Sequence, residues 1–213
     1  IVSLVYSGEL ETKYRIVLNW AIPENIVDGG KKRSSRLAPY RIETLVTLRK
    51  GARWVEFETK INNNVPNHYL QAAFPTDVDA EFVYAQGQFD VVKRPIAKPD
   101  YSKYDEIPMT EQPMNSFVDI CNENEGAAIL NTGLKAYESD DDYNHTVYLS
   151  LLRCFELRIY VTPEEQNYSR IENGSQSFGE HTFRYAFMPH KGDWEDAQVW
   201  KAAEDFNMEI LIG

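Results

Sequence analysis

A histidine, a lysine, an acid and a tryptophan stand close together in Met188-Pro-His-Lys-Gly-Asp-Trp194. Their side chains offer hydrogen-bond donors, acceptors and an aromatic face, the groups that contact a polar ring-shaped ligand. Other chemistries have less support. The four histidines are His68, His145, His181 and His190, and none forms an HExxH or other short ligand pair. If His181 to Met188 is extended, at roughly 3.3 Å per residue its ends lie about 23 Å apart. A strand therefore holds His181 and His190 too far apart for a shared zinc, and no metal site made by this chain alone is expected. A retaining glycosidase needs two carboxylates roughly 5–5.5 Å apart. With 33 acidic residues, some pair reaches that separation by chance. Asp140-Asp141-Asp142 reads as a solvated turn kept out by mutual repulsion. No Gly-x-Ser-x-Gly elbow, phosphate loop or dinucleotide fingerprint occurs. The sequence offers no site for autonomous catalysis.

The elements that must position these residues read almost wholly as β. Phe183, Tyr185 and Phe187 alternate with Thr182, Arg184 and Ala186, giving a strand with one aromatic face that ends abruptly at Pro189. Tyr14, Ile16, Leu18 and Trp20 alternate, as do Ile42, Thr44, Val46 and Leu48, then Val55, Phe57, Thr59 and Ile61. Val147, Leu149 and Leu151 continue the pattern, followed by Phe155, Leu157 and Ile159. Period-two alternation gives each strand one buried and one wetter face, as an antiparallel sandwich requires. Arg49-Lys50-Gly51 and Asn62-Asn63-Asn64 read as turns tolerant of positive φ. Trp194 to Phe206 is the one helical candidate, with Val199, Ala203 and Phe206 on one side. Arg94 to Pro113 is a long proline-spaced loop, whose Tyr101 and Tyr104 pack on a neighbouring domain or whose length covers an edge of its own sandwich. Thr162 to Glu180 is polar and is expected to be a mobile exposed loop. It holds the sequons at Asn167 and Asn173, with a third at Asn144; these matter only in a secreted protein.

Composition narrows the class. The chain has 213 residues, 43% hydrophobic and 13% aromatic, which suits one soluble β-sandwich domain spanning residues 1–213 and not a disordered segment. The net charge of −11 repels phosphate backbones, so nucleic acid is not an expected partner. Lys31-Lys32-Arg33 with Arg36 follows Gly29-Gly30 and reads as a solvated hairpin loop. No run approaches the roughly 18–20 apolar residues of a membrane helix, and no signal peptide is visible. Cys121 and Cys154 form no disulfide framework, Cys154 reads as a small buried thiol, and a cytoplasmic location is favoured.

Several pieces occur in a family order. Arg53 to Asn63 is a strand followed by an asparagine turn, Leu70 to Thr76 ends in Phe-Pro-Thr, and Phe89-Asp to Arg94-Pro95 forms a further element. Leu-Asn-Thr-Gly-Leu-Lys-Ala-Tyr137, Leu149 to Arg153 and His181 to Asn207 complete the series. This order, across most of the chain, resembles the C-terminal β-sandwich of glycoside hydrolase family 38, the α-mannosidases. The resemblance implies a large antiparallel sandwich of the galactose-mutarotase type with at most one or two short helices. It implies a longer parent that hydrolyses α-mannosides with retention, using zinc and an aspartate in an N-terminal catalytic domain joined through a helical bundle. This chain would hold no cofactor of its own. Its beginning at Ile1 without methionine suits an excised C-terminal piece. On the resemblance, the 188–194 loop faces the sugar pocket: Asp193 accepts from hydroxyls, His190 or Lys191 donates, and Trp194 stacks on a pyranose. The competing reading has Trp194 filling the core and Asp193 capping the next helix. Two further readings stay open. One is a stand-alone carbohydrate-binding module. The other is epimerase chemistry, needing a His/Glu pair to which His68, His145 or His181 supplies one member.

Overall fold

The computed structural model describes residues 1–98, 100, 102–103, 109–156 and 173–208. Tyr101, Tyr104, Leu157, Ile159, the Asn167 sequon and the apolar run after Met208 lie outside the described residues. In chain order the strands are β1 (Val2–Ser7), β2 (Glu11–Pro23), β3 (Ile26–Val27), β4 (Lys32–Arg33), β5 (Leu37–Arg49), β6 (Val55–Asn63), β7 (Tyr69–Pro75) and β8 (Phe82–Gln86). There follow β9 (Val91–Pro95), β10 (Gln112–Pro113), β11 (Phe117–Cys121), β12 (Glu125–Asn131), β13 (Ala136–Ser139), β14 (Thr146–Arg153) and β15 (Gly179–Lys191), with helices α1 (Asn173–Gln176) and α2 (Val199–Asn207).

A nine-stranded sheet runs β1-β2-β5-β6-β15-β12-β11-β8-β9, and a four-stranded sheet runs β10-β13-β14-β7. The paired strands of both are antiparallel. This is the expected all-β antiparallel sandwich with two short helices. The alternating sequence explains it: Ile42, Ile61, Tyr185, Ile129 and Ile120 of the large sheet face Leu70, Val147, Leu149 and Tyr137 of the small one, forming the main core. The aromatic face of β15 lies there. Tyr185 stacks on Phe57 at 5.4 Å, and Phe74 meets Phe57, Tyr185 and Phe187 at 6.0, 6.0 and 5.8 Å.

A second core lies on the opposite face of the large sheet. Phe117, Ala128, Leu130, Ala186 and Met188 pack under Val199, Ala202, Ala203 and Phe206 of α2. Strands β11 and β12 are therefore buried on both faces, and their sequences, Phe-Val-Asp-Ile-Cys and Gly-Ala-Ala-Ile-Leu, are apolar apart from Asp119. Small residues at Ala128 and Ala186 let the helix come close. The outer face beside α2 is a solvated lattice of charges, including Arg15 of β2 on Glu43 of β5 at 3.2 Å and Arg41 on the same Glu43 along β5 at 2.8 Å. Exposed pairs like these contribute little to stability.

Four expectations are corrected. Strand β15 continues through Pro189 to Lys191, because pairing with β6 stops at Phe187–Val55 while pairing with β12 goes on to Lys191; there β15 is locally an edge, which tolerates proline. The helix starts at Val199, not Trp194, because residues 194–198 form turns that end in a left-handed Gln198, φ 51°. Asn62 and Asn63 belong to β6 and make no turn. The Asn63 amide is buried and donates to the carbonyls of Gln176 and Ser177 at 2.9 and 2.8 Å. The segment before β15 is not wholly exposed, since buried Gln176 exchanges two amide bonds with Asn67, at 2.8 and 2.9 Å.

Phe206 anchors α2, with its ring edge-on to Trp54 at 6.2 Å and under the Arg184 guanidinium at 4.3 Å. Replacing it with alanine is expected to cost about 3–5 kcal/mol, read from urea denaturation; a loss below 1 kcal/mol would mean that α2 is not seated as described.

Candidate functional site

The 188–194 segment is built from the last residues of β15 and the turn after it. Gly192 adopts φ 67°, and its N–H donates to the Asn124 carbonyl at 2.9 Å, which ties the turn to the β11–β12 hairpin. A left-handed residue there favours glycine. The Oδ1 of Asp193 accepts the backbone N–H groups of Glu195 and Asp196 at 3.0 and 2.9 Å. It thus caps the turn ahead of α2, whereas the helix's own N-cap position, Gln198, makes no side-chain cap bond. Trp194 is half-buried beside the second core, with its rings 6.2 Å from Tyr84 and 6.4 Å from Phe117. Lys191 and the rest of Asp193 face solvent.

His190 takes a different position. Its side chain is 4% exposed and its Nε2 lies 2.6 Å from Oδ2 of Asp119, which is 0% exposed. The register explains the contact. His190 on β15 and Cys121 on β11 both stand opposite Gly126 of the intervening β12. A Cβ at Gly126 would fall 2.4 Å from Cε1 of His190 and 2.6 Å from Cβ of Cys121. Only a missing side chain on the middle strand lets the imidazole cross it and reach Asp119. Burial lowers the imidazole pKa, but the Asp119 bond and charge, helped by backbone groups of Lys191 and Gly192, more than reverse this and hold it above its ordinary value. Burial, and then the neighbouring Asp119 carboxylate, raise the Cys121 thiol, so it stays neutral. Oδ1 of Asp119 has no hydrogen-bond partner among the described residues.

Sequence reasoning missed Asp119. Its signal was present: one carboxylate within the apolar strand Phe117–Cys121 must find a cation or a donor. The structure thus brings Lys191, Asp193 and Trp194 to one surface and turns His190 inward beneath them.

The other histidines are engaged elsewhere. His68 Nε2 pairs with the Tyr40 hydroxyl at 3.1 Å and lies 3.9 Å from the Cys154 sulfur. His181 Nε2 bonds the Ser177 carbonyl at 2.8 Å, and His145 lies 4.0 Å from Asp79. None of these partners is a glutamate. Among the described residues no group of three or more His, Cys, Asp or Glu is placed to hold a metal ion, and no helix is long and apolar enough to cross a membrane. A groove of about 560 Å³ is lined by Asn19, Arg41, Lys60, Asn62, Glu180 and Thr182. It lies near the start of β15, about 30 Å along the strand from His190.

The His190–Asp119 pair has a pH signature. The folded pKa of His190 exceeds the unfolded one, so its contribution is complete below about pH 6.5 and is lost as pH rises through the folded value. Chemical denaturation between pH 5.5 and 8.5 should show stability declining across that window, and His190→Ala should flatten it. The same variant should cost about 3–5 kcal/mol at low pH by stranding Asp119; an unchanged slope would remove the pair from the ledger of stabilising interactions.

Comparison with known proteins agrees with this fold. Residues 3–156 match the glycosyl hydrolases family 38 C-terminal domain. The chain is 29% identical over 87% of its length to a putative mannosylglycerate hydrolase of Halalkalibacterium halodurans, of which it covers 19%. It is 28% identical over 80% of its length to alpha-mannosidase 2C1 of Homo sapiens, covering 14% of that protein. Among solved structures, an alpha-mannosidase from Enterococcus faecalis superposes with a TM-score of 0.82 and 25% identity over 97% of this chain and 24% of its own. The chain therefore spans less than a quarter of each of these relatives. A profile match over most of its length, together with one shared architecture, places the chain in the glycosyl hydrolase family 38 C-terminal domain family.

Proposed function

We propose that this domain is a non-catalytic C-terminal part of an α-mannosidase-like glycoside hydrolase, packing on the catalytic domain and lending the 188–194 loop to the wall of the sugar pocket. The observation that supports it most is the superposition over 97% of the chain on an alpha-mannosidase of which the domain is a quarter. Hydrolysis of α-mannosides with retention, with its zinc and aspartate nucleophile, is assigned to the rest of that polypeptide. The loop suits its role because it is ordered before any sugar arrives. Asp119 holds His190, Asp193 fixes the turn with one oxygen, and Trp194 is clamped on the second core. Lys191, Asp193 and the open edge of Trp194 then contact the sugar, and His190 acts from below as their anchor. Pre-ordering of this kind reduces the entropic cost of binding.

The purified 213-residue chain is expected to hydrolyse no mannoside, whereas the full-length polypeptide does; turnover by the chain alone above a buffer blank overturns the assignment. In the full-length enzyme, Asp193→Ala and Lys191→Ala should each raise KM by about tenfold, the loss of one hydrogen bond to a hydroxyl.

The groove near the start of β15 favours a second reading, a stand-alone carbohydrate-binding module. Its size falls within the usual range for small-ligand sites, roughly 300–1,000 Å³, and its lining mixes amides, a hydroxyl and charges that could bond sugar hydroxyls. Calorimetric titration of the chain with mannose oligomers separates the readings. Saturable heat that disappears in Asn62→Ala selects the module, and silence selects the scaffold.

A further inference from the structure

The two sheets are unequal, and the excess of the larger one has a chemical character. Small-sheet strand β7 sits over β6 and β15, because Phe74 packs on Phe57, Tyr185 and Phe187. Strand β14 lies on one side of β7; among the described strands nothing pairs with its other edge. Beyond that edge the large sheet continues through β5, β2 and β1; Tyr40 and Ile42 of β5 stay in the main core, but farther out the same face comes into solvent at Leu48, Tyr14 and Leu4.

One cross-strand row shows what this face is made of. Leu4, Tyr14, Val46, Phe57 and Tyr185 stand opposite one another in register, so they share a face. Tyr185, under the small sheet, is 5% exposed; Tyr14 and Leu4, beyond it, are 45% and 56% exposed. The next row, Val2, Ile16 and Thr44, and the neighbouring Trp20 and Leu48 continue the same surface. None of these residues is charged. The charged residues of the same strands, Lys13, Arg15, Arg41 and Glu43, belong to the alternate register positions and so to the other face. The main core thus runs on sideways into solvent, and past Tyr40 and Ile42 the second layer gives out. Exposed contiguous apolar surface beside an open strand edge marks an interaction site.

We infer that the exposed apolar part of the β1-β2-β5 face, around Leu4, Tyr14 and Leu48, and the free edge of β7 together seat β-strands from another segment of the longer polypeptide, which extend the small sheet across them. This rests on the reading above that the domain is part of such a polypeptide. The relatives carry more than three-quarters of their length outside the matched region, enough to supply the strands. Both halves of the seat ask for the same occupant. The β7 edge offers backbone donors and acceptors, which a strand satisfies by addition. The shelf offers alternating apolar side chains at sheet spacing, which the inner face of that strand covers. Three large-sheet strands lie beyond β7, and at about 4.8 Å per strand the shelf is wide enough for more than one.

The test uses thiol labelling in the full-length polypeptide and in the 213-residue chain. Leu4→Cys and Tyr14→Cys are introduced singly, with Lys31→Cys in the exposed β3–β4 hairpin as control; Cys121 and Cys154 are buried and give little background. N-ethylmaleimide should modify positions 4 and 14 freely in the short chain and at least about tenfold more slowly in the full-length protein, while position 31 reacts equally in both. Hydrogen exchange should show β7 amides gaining protection in parallel. Equal labelling of positions 4 and 14 in both proteins overturns the inference. If the short chain self-associates, slows its own labelling with concentration, and is returned to monomer by Leu4→Asp, the occupant is a second copy and the inference also fails. Protection at positions 4 and 14 in a full-length protein without mannosidase activity would sink the proposed function and leave the seat standing.

Discussion

Burial of β11 and β12 on both faces is the constraint on which the rest depends. A strand covered on one side only can alternate apolar with polar residues, but these two cannot, because the small sheet presses on one face and α2 on the other. Every polar group placed there must be answered within the protein. Asp119 is the one carboxylate in that position, and it is answered by His190 from β15. That requirement fixes Gly126 as glycine, brings the His190 side chain across β12, and so decides where the following turn stands. Local order at Gly192, Asp193 and Trp194 follows from a core demand and not from the loop's own preferences.

This domain keeps its polar clusters for construction. Tyr40, His68, Asn63 and Cys154 gather at a bend between strands, Thr59 bonds the Tyr185 hydroxyl at 2.8 Å inside the main core, and Gln176 closes the approach to β15. Each looks like a reactive grouping when written as a list of residue types. In place, each satisfies groups that burial would otherwise leave unpaired. Burial lowers the pKa of His68 and raises those of Cys154 and Tyr40, so all three favour their neutral forms. Such a cluster welds the strands around it together.

The strands were legible because their alternation is strong: β2, β5, β6, β14 and the aromatic half of β15 appear where period-two patterns place them. The family order of short pieces was legible too, since it needs only residue identity. What could not be read was long-range. Nothing near Pro189 says that β6 has stopped beside it, so the strand seemed to end there. Nothing near Asn63 says that Gln176 waits to receive its amide, so three asparagines looked like a turn. The inward turn of His190 depends on a glycine some 60 residues away in sequence, Gly126, and on Asp119 beyond it. At the site, exposure of Lys191 and Asp193 was readable from their polarity, while the second core under Trp194 required knowing which strands neighbour β15.

Helix α2 has one more consequence. It is nine residues long, and its N-cap residue is in a left-handed conformation without a side-chain cap bond. A helix that short and poorly capped has little reason to form alone. It condenses only on a sheet already assembled, held at Phe206 and by the Asn207 amide on the Asn131 carbonyl at 3.0 Å. Yet in sequence it follows every strand it covers. A nascent chain must therefore emerge with the greasy back of its central strands naked until translation has passed Asn207, an interval in which a chaperone has something definite to hold.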